Sequence, residues 1–422
     1  MELMEHQKAA MEAVSGKNRI AYYHDMGLGK TFTGAETMML FGSDVNIVIC
    51  QKSKVNDWVK HFEDHYDGRC KVMDMTGHHG VEYFQDMVWE REFPLVGVIN
   101  YDLVFRRPRL QSLKVGTLML DESSLVQNEQ AKRSKFIMRM KYENLILLSG
   151  TPTAGKYENL WSQMKMLGWD ISKTMYWNQF VKTRTIMNQG FPIKVVTGYK
   201  NVERLKRKMR EYGCHFLKTE EVIDLPDQND VIVECSPHEK YKDFLKNRIV
   251  EVEERELVGD MPLTAMMYAR QLCGVYSKDK LGAFRDLLES TSDRLLVFYN
   301  FKEEARRMIR IANDCNKPWC VIDGREKNLA VYENYEDSVT FIQYQAGAMG
   351  LNLQLSNKAV YFTPPLSSEL FEQSKKRIHR IGQTRPCFYY YLTCEKSVEE
   401  KVYETLAMRK DYTDALFEEV MR

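Results

Sequence analysis

The sequence predicts an α/β chain of two lobes, each an open parallel sheet covered by helices. Three observations carry the prediction. Short apolar runs recur in two series between helix-prone stretches, and they are continuous rather than alternating, as in strands buried on both faces. A glycine-rich loop, Gly27 to Thr31 (GLGKT), stands between the first run and a helix-prone segment. The pair Asp121-Glu122 closes a later run of the same series, at the carboxyl end of a strand, where open parallel sheets hold their ligands.

The first series comprises 19–23 (RIAYY), 46–50 (NIVIC), 95–100 (LVGVIN), 117–121 (TLMLD) and 145–149 (LILLS). After Leu167 the composition shifts to Lys, Arg and aromatic residues, and 168–215 reads as helical. The stretch 223–230 (IDLPDQND) is a Pro/Asp break that suits a hinge. The second series comprises 230–235, 294–300, 318–324, 339–344, 358–362 and 387–392, with a further helical stretch at about 237–290. The expected division is therefore 1–225, with a helical insertion at 168–215, and 226–422, with one at about 237–290.

Composition narrows the functional classes. A chain of 422 residues with 44% hydrophobic and 28% charged residues is an ordinary globular protein, long enough for about two to three domains. The net charge of +1 neither requires nor excludes nucleic acid, so any such site must be a local basic surface. Nine cysteines without a Cys-x-x-Cys pair read as reduced thiols, and no zinc site is expected. The polar N-terminus is not a signal peptide, and no apolar run approaches the ~20 residues that span a bilayer. The expectation is a cytoplasmic protein with no membrane partner.

The loop carries the first chemistry. Gly27 and Gly29 let backbone N–H groups approach phosphate oxygens, Lys30 neutralises the β- and γ-phosphates, and Thr31 ligates magnesium. His24 stands where the fuller pattern has its first glycine. Asp121 suits the magnesium shell, and Glu122 suits the polarising of an attacking water. A nucleotide's phosphates and Mg2+ are thus the expected ligands. Ser149 and Thr151 follow another strand, as γ-phosphate contacts or as an ordinary turn. Arg377 and Arg380, three apart in a helix-prone stretch, share one face. That spacing fits arginine fingers, a nucleic-acid contact or a solvated face.

Taken in order, these segments resemble the Swi/Snf-type double-stranded DNA translocases of helicase superfamily two. DMGLGKT, LMLDE, LLSGTPTAGKYENLWS, AGAMGLNLQ and RIHRIGQTRP are similar to that group's motifs I, II, III, V and VI, and HRIGQT (379–384) is the most group-specific. LMEHQKAAM resembles the adenine-reading glutamine motif, while 47–62 and 98–104 resemble motifs Ia and Ib. The resemblance implies two RecA-like lobes with ATP in the cleft between them. It implies Gln7 on the adenine, Gln373 and Gly350 in the nucleotide site, and Arg377 and Arg380 completing that site from the second lobe. Asn352 is implied on the DNA strand, with coupling of ATP to DNA through motif V.

The resemblance also implies double-stranded DNA as partner, with little sequence specificity. The candidate contacts are Lys52 and Ser53 in motif Ia and Arg106, Arg107 and Arg109 after motif Ib. The run 204–210 (RLKRKMR) is a further candidate or a solvated helix face. One departure stands out: motif II continues with Ser123-Ser124 where the group has Ala-His, which bears on ATP–DNA coupling. The chain reads as little more than a motor, of the kind found in bacteria and phage-infected hosts. The expected function is a DNA-dependent ATPase that translocates on duplex DNA. The alternatives are a strand-separating helicase and a non-motor ATP-gated clamp.

Overall fold

The computed structural model describes residues 2–90, 94–188, 191–324, 328–347 and 351–417. The chain divides into two compact units, Met1–Val222 with Asp411–Arg422, and Ile223–Lys410. Among the described residues no helix is long and apolar enough to cross a membrane.

The first unit holds β1 (Arg19–His24), β2 (Val45–Cys50), β3 (Lys71–Asp74), β4 (Leu95–Asn100), β5 (Val115–Asp121), β6 (Tyr142–Ser149), β7 (Val181–Asn188), β8 (Phe191–Tyr199) and β9 (Cys214–Leu217). Seven of these form one sheet in the order β3-β4-β2-β5-β6-β1-β9. Every pairing in it is parallel. The continuous apolar runs follow from a sheet covered on both faces. Ile47, Leu118, Leu120, Leu145 and Leu147 enter one core, while their neighbours Val48, Met119, Ile146 and Leu148 enter the other. Because all strands run the same way, the ends of β1, β5 and β6 deliver the glycine loop, the carboxylate pair and Ser149 to a single edge.

The second unit holds β10 (Gln228–Cys235), β11 (Ile249–Val252), β12 (Arg255–Val258), β13 (Leu295–Tyr299), β14 (Trp319–Ile322), β15 (Val339–Gln343), β16 (Lys358–Tyr361) and β17 (Cys387–Cys394). Six of them form a parallel sheet, β10-β17-β16-β13-β15-β14. Its central strand β13 alternates in the same way, Leu295, Val297 and Tyr299 to one core and Leu296 and Phe298 to the other.

The two helical expectations need correction. Segment 168–215 is helical at Lys173–Phe180 and Val202–Glu211, but β7 and β8 form an antiparallel hairpin between them. Its Val, Thr and Ile residues favour extended backbone, and Pro192 blocks a helix. Segment 237–290 likewise contains the β11–β12 hairpin between the helices Tyr241–Asn247 and Pro262–Cys273.

Candidate active site

The site starts from the end of β1. Gly27 (φ 89°) and Gly29 (φ 70°) take left-handed backbone that side chains resist, and Gly29 caps the helix Lys30–Leu40. A Cβ on Gly29 would also stand 2.3 Å from Gln7 Nε2. The loop is thus shaped to bring N–H groups to a helix N-terminus, which favours anions. Lys30 Nζ donates to the carbonyls of His24 (2.8 Å) and Asp25 (3.0 Å), and Thr31 is half-buried in the first turn. A Cβ on Gly150 would meet Lys30 Nζ at 3.5 Å, so the Ser149-Gly150-Thr151 turn lies directly against the lysine.

Asp121 and Glu122 arrive from β5. Trp58 Nε1 donates to Asp121 Oδ2 at 2.8 Å. Burial pushes the Asp121 carboxyl up, while the Trp58 hydrogen bond and the Lys30 and Lys54 charges pull it down. A half-buried carboxylate and a hydroxyl are both hard oxygen donors, so Asp121 and Thr31 fit magnesium chemistry. Glu122 sits at φ 55°, ψ 61°, a left-handed conformation rare outside glycine, and the Tyr101 hydroxyl fixes it by donating to the Asp121 carbonyl at 3.0 Å. Ser149 Oγ reaches Glu122 Oε2 at 3.5 Å and accepts from Thr151 N–H at 3.1 Å. Thr151 Oγ1 is buried with no hydrogen-bond partner among the described residues. That is an unmet polar group beside a lysine, where a phosphate oxygen fits.

Gln163, which the sequence reading did not single out, joins β1 to motifs II and III. Its Oε1 accepts from Ser123 Oγ (2.8 Å) and from the Tyr23 hydroxyl (2.9 Å), and its Nε2 donates to the Pro152 carbonyl (2.8 Å). Ser123 therefore connects motif II to motif III through a buried amide. Gln7, expected on the adenine, instead donates to the loop carbonyls of Leu28 (3.5 Å) and Gly29 (3.3 Å), and its oxygen accepts from Met4 N–H. Here it braces the loop.

In the second unit, the expected shared helical face of Arg377 and Arg380 is corrected. The helix Ser368–Lys375 ends first, and both arginines lie in the turns beyond it. They nonetheless converge: Arg377 Nη1 and Arg380 Nη1 donate to the same Leu351 carbonyl, at 3.4 and 3.5 Å. Gln383 makes that turn rigid. Its Nε2 donates to the carbonyls of Gln354, Ser356 and Ile378, and its Oε1 accepts from Thr384 and Arg385 N–H. His379 Nε2 bonds the Pro226 carbonyl at 2.9 Å. The group-specific HRIGQT is thus a knot tying motif VI to motif V. Gln373 is buried on the helix, its amide 3.5 Å from Glu369 Oε1. Asn352 is exposed, and Gly350 lies outside the described residues.

Comparison with known proteins gives the family. Residues 14–277 match the family described as SNF2-related domain, and residues 279–382 match the helicase conserved C-terminal domain. The chain belongs to the SNF2-related family. The match places it in helicase superfamily two. This SNF2-related chain is 22% identical to the human "SWI/SNF-related matrix-associated actin-dependent regulator of chromatin subfamily A member 1", over 90% of this chain and 40% of that protein. It is 24% identical to the "ISWI chromatin-remodeling complex ATPase ISW1" of Saccharomyces cerevisiae, over 92% of this chain and 38% of that protein. A solved structure, "Sulfolobus solfataricus SWI2/SNF2 ATPase core in complex with dsDNA", aligns over 98% of this chain and 92% of that chain, at 19% identity and a TM-score of 0.47. The chain spans about 40% to 54% of the length of the first relatives it matches.

The candidate DNA contacts of the SNF2-related chain divide by their present partners. Lys52 and Arg106 are exposed just beyond β2 and β4, and Ser53 is half-buried beside Lys52. Arg107 donates to the Gly77 carbonyl at 3.1 Å, and Arg109 pairs with Glu82 at 3.7 Å. In the 204–210 run, Lys206 is buried and Lys208 pairs with Glu211, so much of that charge is used within the lobe.

A histidine pair stands behind the loop. His24 Nε2 and His215 Nδ1 are 2.9 Å apart, one donating and one accepting. Burial lowers the pKa of both, and for His24 the His215 and Lys30 charges lower it further. A histidine depressed below its unfolded value of 6.5 leaves stability intact above that pH and removes it as pH falls below it. The first lobe is therefore expected to lose thermal stability between pH 7 and 5. The His24→Gln/His215→Gln double variant should show a flatter profile by calorimetry, and equal slopes would refute the assignment.

Proposed function

We propose that this chain is a DNA-dependent ATPase that translocates on double-stranded DNA. Its work would be to remodel protein–DNA complexes or to assist replication and repair. The observation that carries the reading is the single sheet edge gathering Lys30, Thr31, Asp121, Glu122, Ser149 and Thr151. When bound, ATP supplies the phosphoanhydride to be cut, and Mg2+ neutralises its phosphates. Thr31 and Asp121 would hold the metal, and Lys30 would turn from the His24 and Asp25 carbonyls to the phosphates. Glu122 would take the proton of the attacking water, with Ser149 orienting its carboxylate. Gln7 would keep the loop in shape on the adenine side. Gln373 and Gly350 remain proposed nucleotide contacts, and Asn352 a proposed DNA contact. Lys52, Ser53 and Arg106 would meet the phosphates of the duplex, with Arg107 and Arg109 joining if they leave their present partners.

The test is displacement of a third strand wound in the major groove of a duplex. The wild-type protein should release it with ATP while the two duplex strands stay paired. Glu122→Gln should bind ATP yet turn it over about 100-fold more slowly, a loss of roughly 3 kcal/mol in transition-state stabilisation. Unwinding of the plain duplex without third-strand release would favour the strand-separating alternative. No stimulation of turnover by duplex DNA would favour the clamp.

A further inference from the structure

The β7–β8 hairpin is used by no motif, and its surface is unusual. Over residues 181–200 the sequence carries Lys182, Arg184, Lys194 and Lys200 and not one Asp or Glu. Ile186, Met187, Phe191, Ile193 and Val195 are exposed, Met187 by 70% and Phe191 by 74%. The register sets Arg184 opposite Val195, Ile186 opposite Ile193, and Met187 opposite Pro192. One face thus presents Arg184, Ile186, Ile193 and Val195 together. A two-stranded ribbon with an open apolar face is marginal by itself.

The root of the hairpin, by contrast, is firmly built. The Tyr199 hydroxyl donates to Glu158 Oε2 at 2.6 Å, and its ring stacks on Tyr157 with centroids 4.3 Å apart. Lys200 N–H donates to the Phe180 carbonyl. Tyr157 and Glu158 belong to the segment that also carries Pro152 and Gln163. A load on the hairpin is therefore applied to motif III, one buried amide away from Ser123 beside the carboxylate pair.

We propose that the β7–β8 hairpin is a duplex-DNA contact arm of the first lobe. The inference rests on the proposed duplex-binding activity and adds a contact outside the motifs. Charge decides the occupant: a ribbon with cations on both strands and no carboxylate seeks a polyanion. Shape agrees, since a two-stranded ribbon fits the major groove, and Ile, Met, Phe and Pro side chains are those that wedge into the minor groove. Lys182 and Arg184 would contact phosphates on the side where Ile186 and Phe191 pack on the groove wall, and Lys194, opposite Thr185 on the other face, would reach a phosphate from that side.

The test compares wild type with Lys182→Glu/Arg184→Glu/Lys194→Glu and, separately, with Phe191→Ser. Binding of a fluorescent blunt duplex is measured by anisotropy across a salt series. If the arm contacts three phosphates, the slope of log affinity against log salt should fall by about 2 to 3 in the triple variant. Phe191→Ser should weaken binding with the slope nearly unchanged. Circular dichroism and melting midpoints equal to wild type would show that the lobe folds. A wild-type protein that fails to bind duplex would sink the functional reading itself. Wild-type binding with an unaltered slope in a folded triple variant would overturn the arm alone. Self-association lost in Phe191→Ser, with duplex affinity intact, would assign the face to a second copy and also overturn it.

Discussion

Arg377→Ala and Arg380→Ala are each expected to slow ATP turnover by about 10³-fold at saturating duplex DNA, with duplex affinity nearly intact. Two guanidiniums converge on one Leu351 carbonyl, at 3.4 and 3.5 Å. The carbonyl they share carries no net charge, so their mutual repulsion is not offset at that point. Arg380 is further penalised, because burial alone lowers its pKa and its Nε has no acceptor among the described residues. An arrangement of this kind gains most from an anion whose charge grows, as on a phosphoryl group in transfer. Lysine should rescue neither position fully, because it lacks the planar fork that binds two phosphate oxygens at once. If both alanine variants instead weaken duplex binding and regain normal turnover at high DNA concentration, they are DNA contacts. Equal melting midpoints would exclude a merely structural effect through the turn that Gln383 ties together.

How much of this was legible follows from what each segment does. The central strands were readable because they are buried on both faces, so β2 and β4 are apolar at nearly every position. The edge strands β3 and β9 were not, because partial exposure breaks their runs with Lys71, Asp74 and His215. The glycine loop and carboxylate pair were readable because the phosphate chemistry proposed for them needs those residue types in that order. Gln163 and Trp58 were not, since a buried amide joining three distant segments has no local pattern. Arg377 and Arg380 show a third case. The expected convergence is present, but it comes from turns anchored by Gln383 rather than from helical spacing. The hairpin was misread because Lys, Arg and aromatic content says little about backbone, whereas Val, Thr, Ile and Pro192 did carry the signal.

The largest effect on stability is expected at the buried pair Lys280–Glu399. Nζ and Oε2 are 2.6 Å apart and both side chains are fully buried. Burial alone would lower the lysine pKa, yet the Glu399 charge and hydrogen bond, together with Cys394 and Cys273, shift it upward on balance, so the ammonium is held charged. Nζ also donates to the Phe362 carbonyl at 3.0 Å, and Oε2 accepts from Cys394 N–H at 3.0 Å, while Glu399 Oε1 is buried with no hydrogen-bond partner among the described residues. Lys280 lies on the helix Lys278–Glu289, Phe362 follows β16, Cys394 ends β17, and Glu399 opens the last helix. The pair therefore fastens four elements of the second lobe at one point. The same carboxylate groups with Cys273 and Cys394, but the lysine already supplies its cation. Glu399→Gln or Lys280→Met leaves one charge buried without its counterion, at a cost of about 3 to 5 kcal/mol. Removing both, as Lys280→Met/Glu399→Leu, should cost less than the sum of the single changes, because no orphaned charge remains. Denaturant unfolding of the second-lobe transition reads all three variants. Single variants within 1 kcal/mol of wild type, or a double variant equal to the sum, would show that the pair is not what joins these elements.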